Sequence, residues 1–318
     1  MKANKFLVVL MSVALVSTLM ISCKEKNKPD TPSGGDDPTE VVPDYTANVV
    51  LDWGDSIVLT KLFPEAELQM EYYELTSTNL EIVAFTESGK PKAVGFGEAK
   101  VLAKPSSIGA VVSLPIVEVN VKVESHFLMY VEDVFAITGR GTVVTGRLLN
   151  GRLRTGQPII VGNLVDSLGT ISTEVRAIEM FHKTIDEVEA GDNVGLLLGA
   201  DVEKTDIGRG AALFCEGNPD IYRANTFQGL TRVYSAAEGG KNDGFEIGIR
   251  PQLYFQTADV TSEIIALQPG VEIIAPGDSL ADVTWRLIEG YTATIYEGMN
   301  IPVRSSGYTL GYVIANGK

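Results

Sequence analysis

Apolar and polar residues alternate along this chain in short runs, and almost nowhere do they follow the three-to-four-residue spacing of an amphipathic helix. The plainest run is Val117-Glu118-Val119-Asn120-Val121-Lys122-Val123, in which every second residue is valine. A side-chain period of two places those valines on one face of a strand and the polar residues on the other. Comparable runs occur around Val49–Leu51, Trp53–Leu59, Ile82–Phe85 and Lys92–Val101, separated by Gly, Pro and Asn turns. Residues 45–123 are therefore expected to form a β-sandwich.

The pattern continues with different punctuation after residue 123. Val134 and Phe135 lead into a strand, Gly139-Arg140-Gly141 supplies turn residues free to take positive φ, and Thr142-Val143-Val144-Thr145 is a β-branched run favouring an extended return. Leu148-Leu149-Asn150-Gly151-Arg152-Leu153 predicts a second hairpin, because Asn-Gly between apolar strands suits a two-residue turn. Residues 124–217 read as one β module. Residues 218–318 read as another, with strands expected around Arg223–Tyr234, Pro251–Val260, Ser279–Ile288 and Thr309–Ile314. The predicted class is all-β.

The first 44 residues differ from everything after them. Lys2 and Lys5 precede a short apolar core, Phe6–Ile21, and Met20-Ile21-Ser22-Cys23 closes it. A basic start with a short apolar core is a secretory leader, predicted over residues 1–22. Ser22-Cys23 resembles the lipobox of bacterial lipoproteins, which implies lipidation at Cys23 as the mature first residue. Residues 23–44 are rich in charge, Pro, Gly and Ser with little to bury, as expected of a flexible tether. The expectation is a lipid-anchored protein of the cell envelope, at the outer membrane and facing either the periplasm or the cell surface.

Charge narrows the choice of partner. The formal net charge is −15, and loss of Lys2 and Lys5 with the leader leaves 24 basic against 41 acidic residues, or −17. Acidic residues outnumber basic ones in each module, so nucleic acid is a disfavoured partner. Of the two cysteines, Cys215 lies in the apolar run Ala212-Leu213-Phe214-Cys215 and is expected to be a buried thiol. His126 and His182 are the only histidines, with no ligand spacing of Cys or carboxylate around them, and no metal site is predicted.

Two resemblances extend this reading. Glu132-Asp133-Val134-Phe135, Gly139-Arg140-Gly141-Thr142-Val143-Val144-Thr145-Gly146-Arg147, Glu179-Met180-Phe181 and Ala190-Gly191-Asp192-Asn193-Val194-Gly195 follow the order seen in the second domain of bacterial elongation factor Tu. Glu238-Gly239-Gly240-Lys241, Ile249–Phe255, Thr257–Thr261 and Pro276-Gly277-Asp278 resemble its third domain. The resemblance implies two β-barrels packed together. Gly54–Leu59, Ser77–Val83 and Ala93–Ala99 resemble bacterial immunoglobulin-like domains, which implies a spacer or binding module ahead of the barrels.

The family's GTPase chemistry is not legible here. A P-loop needs Gly-x-x-x-x-Gly-Lys-Ser/Thr to wrap phosphates and hold magnesium, and the three Gly-Lys pairs are followed by Pro91, by Asn242 and by the end of the sequence. Neither a catalytic residue nor a cofactor site is predicted. In the family the second domain holds the aminoacyl end of tRNA, and the resemblance carries that pocket onto Glu132, Asp133, Phe135, Thr142, Glu179, Phe181 and Asn193. Arg140 joins them as a candidate contact for a protein or small ligand. The third domain departs from the family where tRNA is contacted: Ser305-Ser306-Gly307-Tyr308-Thr309 and Phe255-Gln256-Thr257-Ala258-Asp259 lack the family's arginines. The reading is a non-catalytic binding scaffold, the alternative an aminoacyl-tRNA-binding protein without its own GTPase. The sequence leaves the oligomeric state open.

Overall fold

The computed structural model describes residues 43–106, 114–277 and 280–317, and they divide into two compact units at Val123/Glu124. Cys23 and the leader and tether before Pro43 lie outside the described residues. Among the described residues no helix is long and apolar enough to cross a membrane.

The first unit holds β1 (Tyr45–Leu51), β2 (Tyr73–Ser77), β3 (Val83–Phe85), β4 (Pro91–Ala93), β5 (Gly97–Pro105) and β6 (Val117–Val123). Four of these form a sheet in the order β1-β6-β5-β2, with β1 and β6 parallel and in register from Tyr45↔Val117 to Leu51↔Val123. The alternation read from the sequence decides which face is covered. Val117, Val119, Val121 and Val123 are buried with Ala99, Val101, Ala103, Ala47 and Val49, while Asn120 on the other face donates to Asn48 Oδ1 at 2.9 Å. The second layer is thinner than a full sandwich sheet. It consists of the β3–β4 hairpin, a single bridge from Ser56 to Lys92, and the short helical turn Leu59–Leu62, which buries Leu59 and Leu62 beside Phe63. That turn escaped the sequence reading because four residues are too few to show a helical period.

The second unit holds two barrels. The strands of the first are β7 (Leu128–Tyr130), β8 (Asp133–Ile137), β9 (Gly141–Asn150), β10 (Arg152–Arg154), β11 (Pro158–Gly162), β12 (Thr170–Met180), β13 (Lys183–Ile185), β14 (Glu187–Glu189), β15 (Asn193–Leu198) and β16 (Ala212–Phe214). Six close a ring in the order β11-β16-β7-β9-β15-β12 and back to β11, with β8 added onto β9 and β13 onto β12. Closure leaves no free edge within the ring. The second barrel follows with β17 (Ile221–Ala224), β18 (Thr226–Val233), β19 (Phe245–Glu246), β20 (Gln252–Phe255), β21 (Ala258–Leu267), β22 (Ile273–Ile274), β23 (Ala281–Leu287), β24 (Ala293–Tyr296), β25 (Asn300–Ser305) and β26 (Tyr308–Ala315). Its ring runs β18-β23-β21-β20-β25-β26.

The Gly139-Arg140 turn joins β8 to β9 as expected, with Arg140 N–H donating to the Ile137 carbonyl at 3.0 Å. Asn150-Gly151 is different and corrects the sequence reading. The strands on either side of it do not pair, because β10 leaves the barrel to pair with β14. Gly151 has φ +69°, and a Cβ there would lie 2.5 Å from Phe127 N and 2.7 Å from the His126 carbonyl carbon. The glycine therefore serves a tight corner against the start of β7. Cys215 is fully buried as expected, its sulfur accepting from Gln157 Nε2 at 3.0 Å.

The two barrels are joined by polar contacts around an apolar seam. Tyr130 Oη donates to the Thr294 carbonyl at 2.7 Å, Thr257 Oγ1 to the Val131 carbonyl at 2.6 Å, and Arg209 Nε to the Thr257 carbonyl at 2.7 Å. Arg223 reaches back to the Asn163 carbonyl at 2.6 Å and to Thr294 Oγ1 at 3.1 Å. Burial pushes its guanidinium pKa down, against the upward pull of Asp166 and Tyr130. Gly162 is required at this crossing, since any side chain there would run into the Arg223 guanidinium.

Candidate functional site

The strand alternation of the first barrel builds the candidate face. On β9, Thr142, Val144, Gly146 and Leu148 point inward and Val143, Thr145 and Arg147 outward. β8 sets Phe135 opposite Val143 and Asp133 opposite Thr145, while β15 sets Leu197 opposite Val143, Gly195 opposite Thr145 and Asn193 opposite Arg147. On the far side β12 brings Ala177 to Leu197 and Glu179 to Gly195. The result is an outward row Phe135–Val143–Leu197–Ala177 beside a more polar row Asp133–Thr145–Gly195–Glu179. Gly195 leaves a depression between Thr145 and Glu179, where a Cβ would meet its neighbours only at 3.6 Å or more.

Arg140, at the tip of the β8–β9 hairpin, spans this surface and donates through Nη2 to Glu179 Oε1 at 2.5 Å. Both side chains stay more than 40% exposed, so the pair is open to a ligand carrying charge of either sign. Phe135 is 47% exposed and Ile137 39%. A flat ring could lie against Val143 and Leu197, and the Glu179 carboxylate and Arg140 guanidinium could orient a polar group at its rim.

Phe181 and His182 close the β12–β13 hairpin, in which Met180 pairs with Lys183. Both have positive φ, 50° and 62°, the geometry of a two-residue turn normally filled by Asn and Gly. Holding two bulky residues there costs on the order of 1 kcal/mol or more each. Phe181 is 85% exposed, so burial does not repay that cost.

The structure divides the sequence candidates into three groups. Phe135, Arg140 and Glu179 share the outer face, with Phe181 at its border and Asn193 exposed at the start of β15. Glu132 and Asp133 line a groove of about 690 Å³ between the barrels, beside Arg209, Tyr254, Gln256 and Thr257, with Asp133 also at the end of the outward polar row. Thr142 is 3% exposed and donates to the Val202 carbonyl at 2.7 Å, which fixes the β9 hairpin and leaves no hydroxyl for a ligand. Val143, Leu197 and Ile137 were missed as site residues, although the period-two pattern of β9 alone marks Val143 as outward. Nothing local marks Leu197, whose neighbours Leu196 and Leu198 are the buried ones.

In the second barrel the two segments that diverge from the family are hairpin tips. Gln256, φ 53°, and Thr257 connect β20 to β21, and Ser306, φ 50°, with Gly307 connects β25 to β26. Arg304, one strand position from the latter tip, lies with its guanidinium 5.0 Å from the Tyr254 ring centre. Among the described residues no group of three or more His, Cys, Asp or Glu side chains is placed to hold a metal ion.

The comparison with family models coincides with this architecture. Residues 141–213, most of the first barrel, match elongation factor Tu domain 2, and residues 220–315, the second barrel, match the elongation factor Tu C-terminal domain. The C-terminal part of this chain thus belongs to the elongation factor Tu family, of which it carries the second and third domains.

Proposed function

We propose that this chain is a non-catalytic, lipid-anchored protein of the cell envelope whose two elongation factor Tu-type barrels act as a binding scaffold. The observation that carries this reading is the outer face of the first barrel, which exposes Phe135 and the Arg140–Glu179 pair and is open above Gly195, between Thr145 and Glu179. Partly exposed aromatics beside an Arg–Glu pair have the make-up of an interaction site for a protein or small ligand. The lipobox-like Met20-Ile21-Ser22-Cys23 supports the anchor, and the missing P-loop sequence supports a role without GTP hydrolysis. In the first unit, the parallel β1–β6 pair closing an antiparallel sheet supports reading that module as immunoglobulin-like.

The anchor and the face are tested separately. Cys23→Ala is expected to abolish lipid labelling and release the protein to a soluble fraction; continued membrane association would refute the anchor. For the face, a partner recovered by cross-linking on intact cells should lose at least about 1 kcal/mol of affinity with Phe181→Ala and with Glu179→Ala, circular dichroism unchanged. Full affinity in both variants would move the interface elsewhere. Calorimetry with magnesium and GTP is expected to show no binding tighter than a dissociation constant of about 10 μM, or about 7 kcal/mol.

A second reading keeps the family's ligand, because Phe135, Glu179 and Phe181, at positions matching the family's aminoacyl pocket, are all at least partly exposed. Aminoacyl-tRNA would then bind with a steep salt dependence. The acidic chain and the cation-poor tips at Gln256 and Ser305-Ser306 favour the first reading.

A further inference from the structure

A cleft of about 580 Å³ opens at the junction of the two barrels and shares no residue with the face just described. Leu128 and Leu149 line it on the first barrel, and Ile221 and Tyr222 of β17 with Tyr296 of β24 line it on the second. Leu149 is 38% exposed, a large apolar side chain turned toward open space in the mouth of a concavity. The hydroxyls of the two tyrosines are engaged elsewhere: Tyr222 donates to the Asn316 carbonyl at 2.8 Å, and Gln256 Nε2 meets Tyr296 Oη at 3.5 Å. Burial raises both phenol pKa values, so they remain neutral and present aromatic rings.

The carboxylates of the cleft are Asp220 and Glu297, its one imidazole is His126, and among its described lining residues there is no Lys or Arg. Asp220 is fixed from two directions. Its Oδ2 accepts from Asn150 Nδ2 at 2.9 Å and lies 2.6 Å from His126 Nδ1. A second carboxylate, Glu124, lies 3.7 Å from His126 Nε2, so one imidazole is held between two acids brought together from distant parts of the chain. Glu297 is exposed at the rim beside Gly317.

We propose that this cleft binds an organic cation, an amine carried on an aromatic or aliphatic body. The leucines and Ile221 cover the body, as apolar walls do in small-molecule sites. Asp220 and Glu297 receive the ammonium, and the rings of Tyr222 and Tyr296 add attraction through their π faces. His126 is a positioning residue that holds Asp220. The excess of acid over base in the whole chain steers cations toward the site and anions away from it.

The test uses the full chain in detergent and three probes of one shape: 2-phenylethylamine, 2-phenylethanol and 3-phenylpropionate, titrated by NMR. The amine is expected to bind about tenfold more tightly than the alcohol, with shifts at Leu149 and Tyr296, and the carboxylate not to bind. Glu297→Gln, at an exposed position that leaves the fold intact, should weaken the amine about three- to fivefold, the scale of a partly exposed ion pair, and leave the alcohol unchanged. Asp220→Asn should act in the same direction. Equal affinity for amine and alcohol, shifts confined to other surfaces, or an amine affinity indifferent to both substitutions would overturn the proposal. So would the lack of any amine binding up to about 10 mM, a free energy of about 3 kcal/mol.

Discussion

The two barrels share one architecture and fill it differently. Both close six strands, and both use bulky or polar residues at positive φ in hairpin tips. The first barrel has a mostly aliphatic interior, with Val144, Leu148, Ile178, Leu196 and Leu198 buried. The second is built on aromatic pairs, Phe245 edge-on to Trp285 at 6.3 Å and Phe227 to Phe255 at 6.1 Å. At the surface the turns differ: the first barrel puts Phe181 at a hairpin tip, while the second ends its tips in Gln256-Thr257 and Ser306-Gly307, with Tyr308 exposed beside the latter. A barrel of this kind needs only volume inside and permissive turns at its ends, so its binding surface is free to change while its fold is kept.

The sharpest way to test that contrast is through the cores. Trp285 is fully buried and its Nε1 donates to the equally buried Thr231 Oγ1 at 3.0 Å. Trp285→Ala should cost about 4 kcal/mol or more, because it opens a large cavity and removes the hydrogen bond that Thr231 Oγ1 accepts. Leu196→Ala, with no hydrogen bond to lose, should cost about 2–3 kcal/mol. Denaturant melts of both variants compare the cores directly, and equal losses would break the comparison.

A smaller effect separates the tips. His182→Gly removes a side chain from positive φ and is expected to stabilise the protein by about 1 kcal/mol. Gly307→Ala, in open space at φ 83°, should destabilise it by about the same amount. If His182→Gly destabilises instead, its side chain makes a contact worth more than the strain.

The pH dependence is smaller still. Burial pushes the Glu187 pKa up, but Arg154, at 2.5 Å, and Arg152 outweigh it, so the folded-state value lies below the ordinary carboxylate range. A depressed acid stabilises the fold above its unfolded pKa and loses that contribution as pH falls through the folded value. Melting temperatures measured from pH 7 to pH 3 should therefore fall less steeply for Glu187→Gln than for the parent chain. Least of all, Arg140→Met should change stability by no more than about 1 kcal/mol, since its pair with Glu179 is solvent-exposed. A larger loss would make that pair part of the fold and remove it from the proposed site.

The sequence by itself determined the strand character of the chain, the turn at Gly139-Arg140, the burial of Cys215 and the kinship of the two C-terminal domains. These are legible because a period-two pattern and a glycine at positive φ are local properties, and a family resemblance is a long ordered series of them. The tertiary structure decided everything that depends on which strands become neighbours. Asn150-Gly151 carries the strongest local hairpin signal yet turns a corner, because β10 finds β14 and Gly151 meets the backbone of His126 and Phe127. Val143 and Leu197 join Phe135 and Glu179 only because the pairing order β8-β9-β15-β12 sets four strands side by side. Asp220 and His126 meet across 94 residues for the same reason. Contacts of that separation are fixed by the register of the whole barrel, which no single stretch of the chain contains.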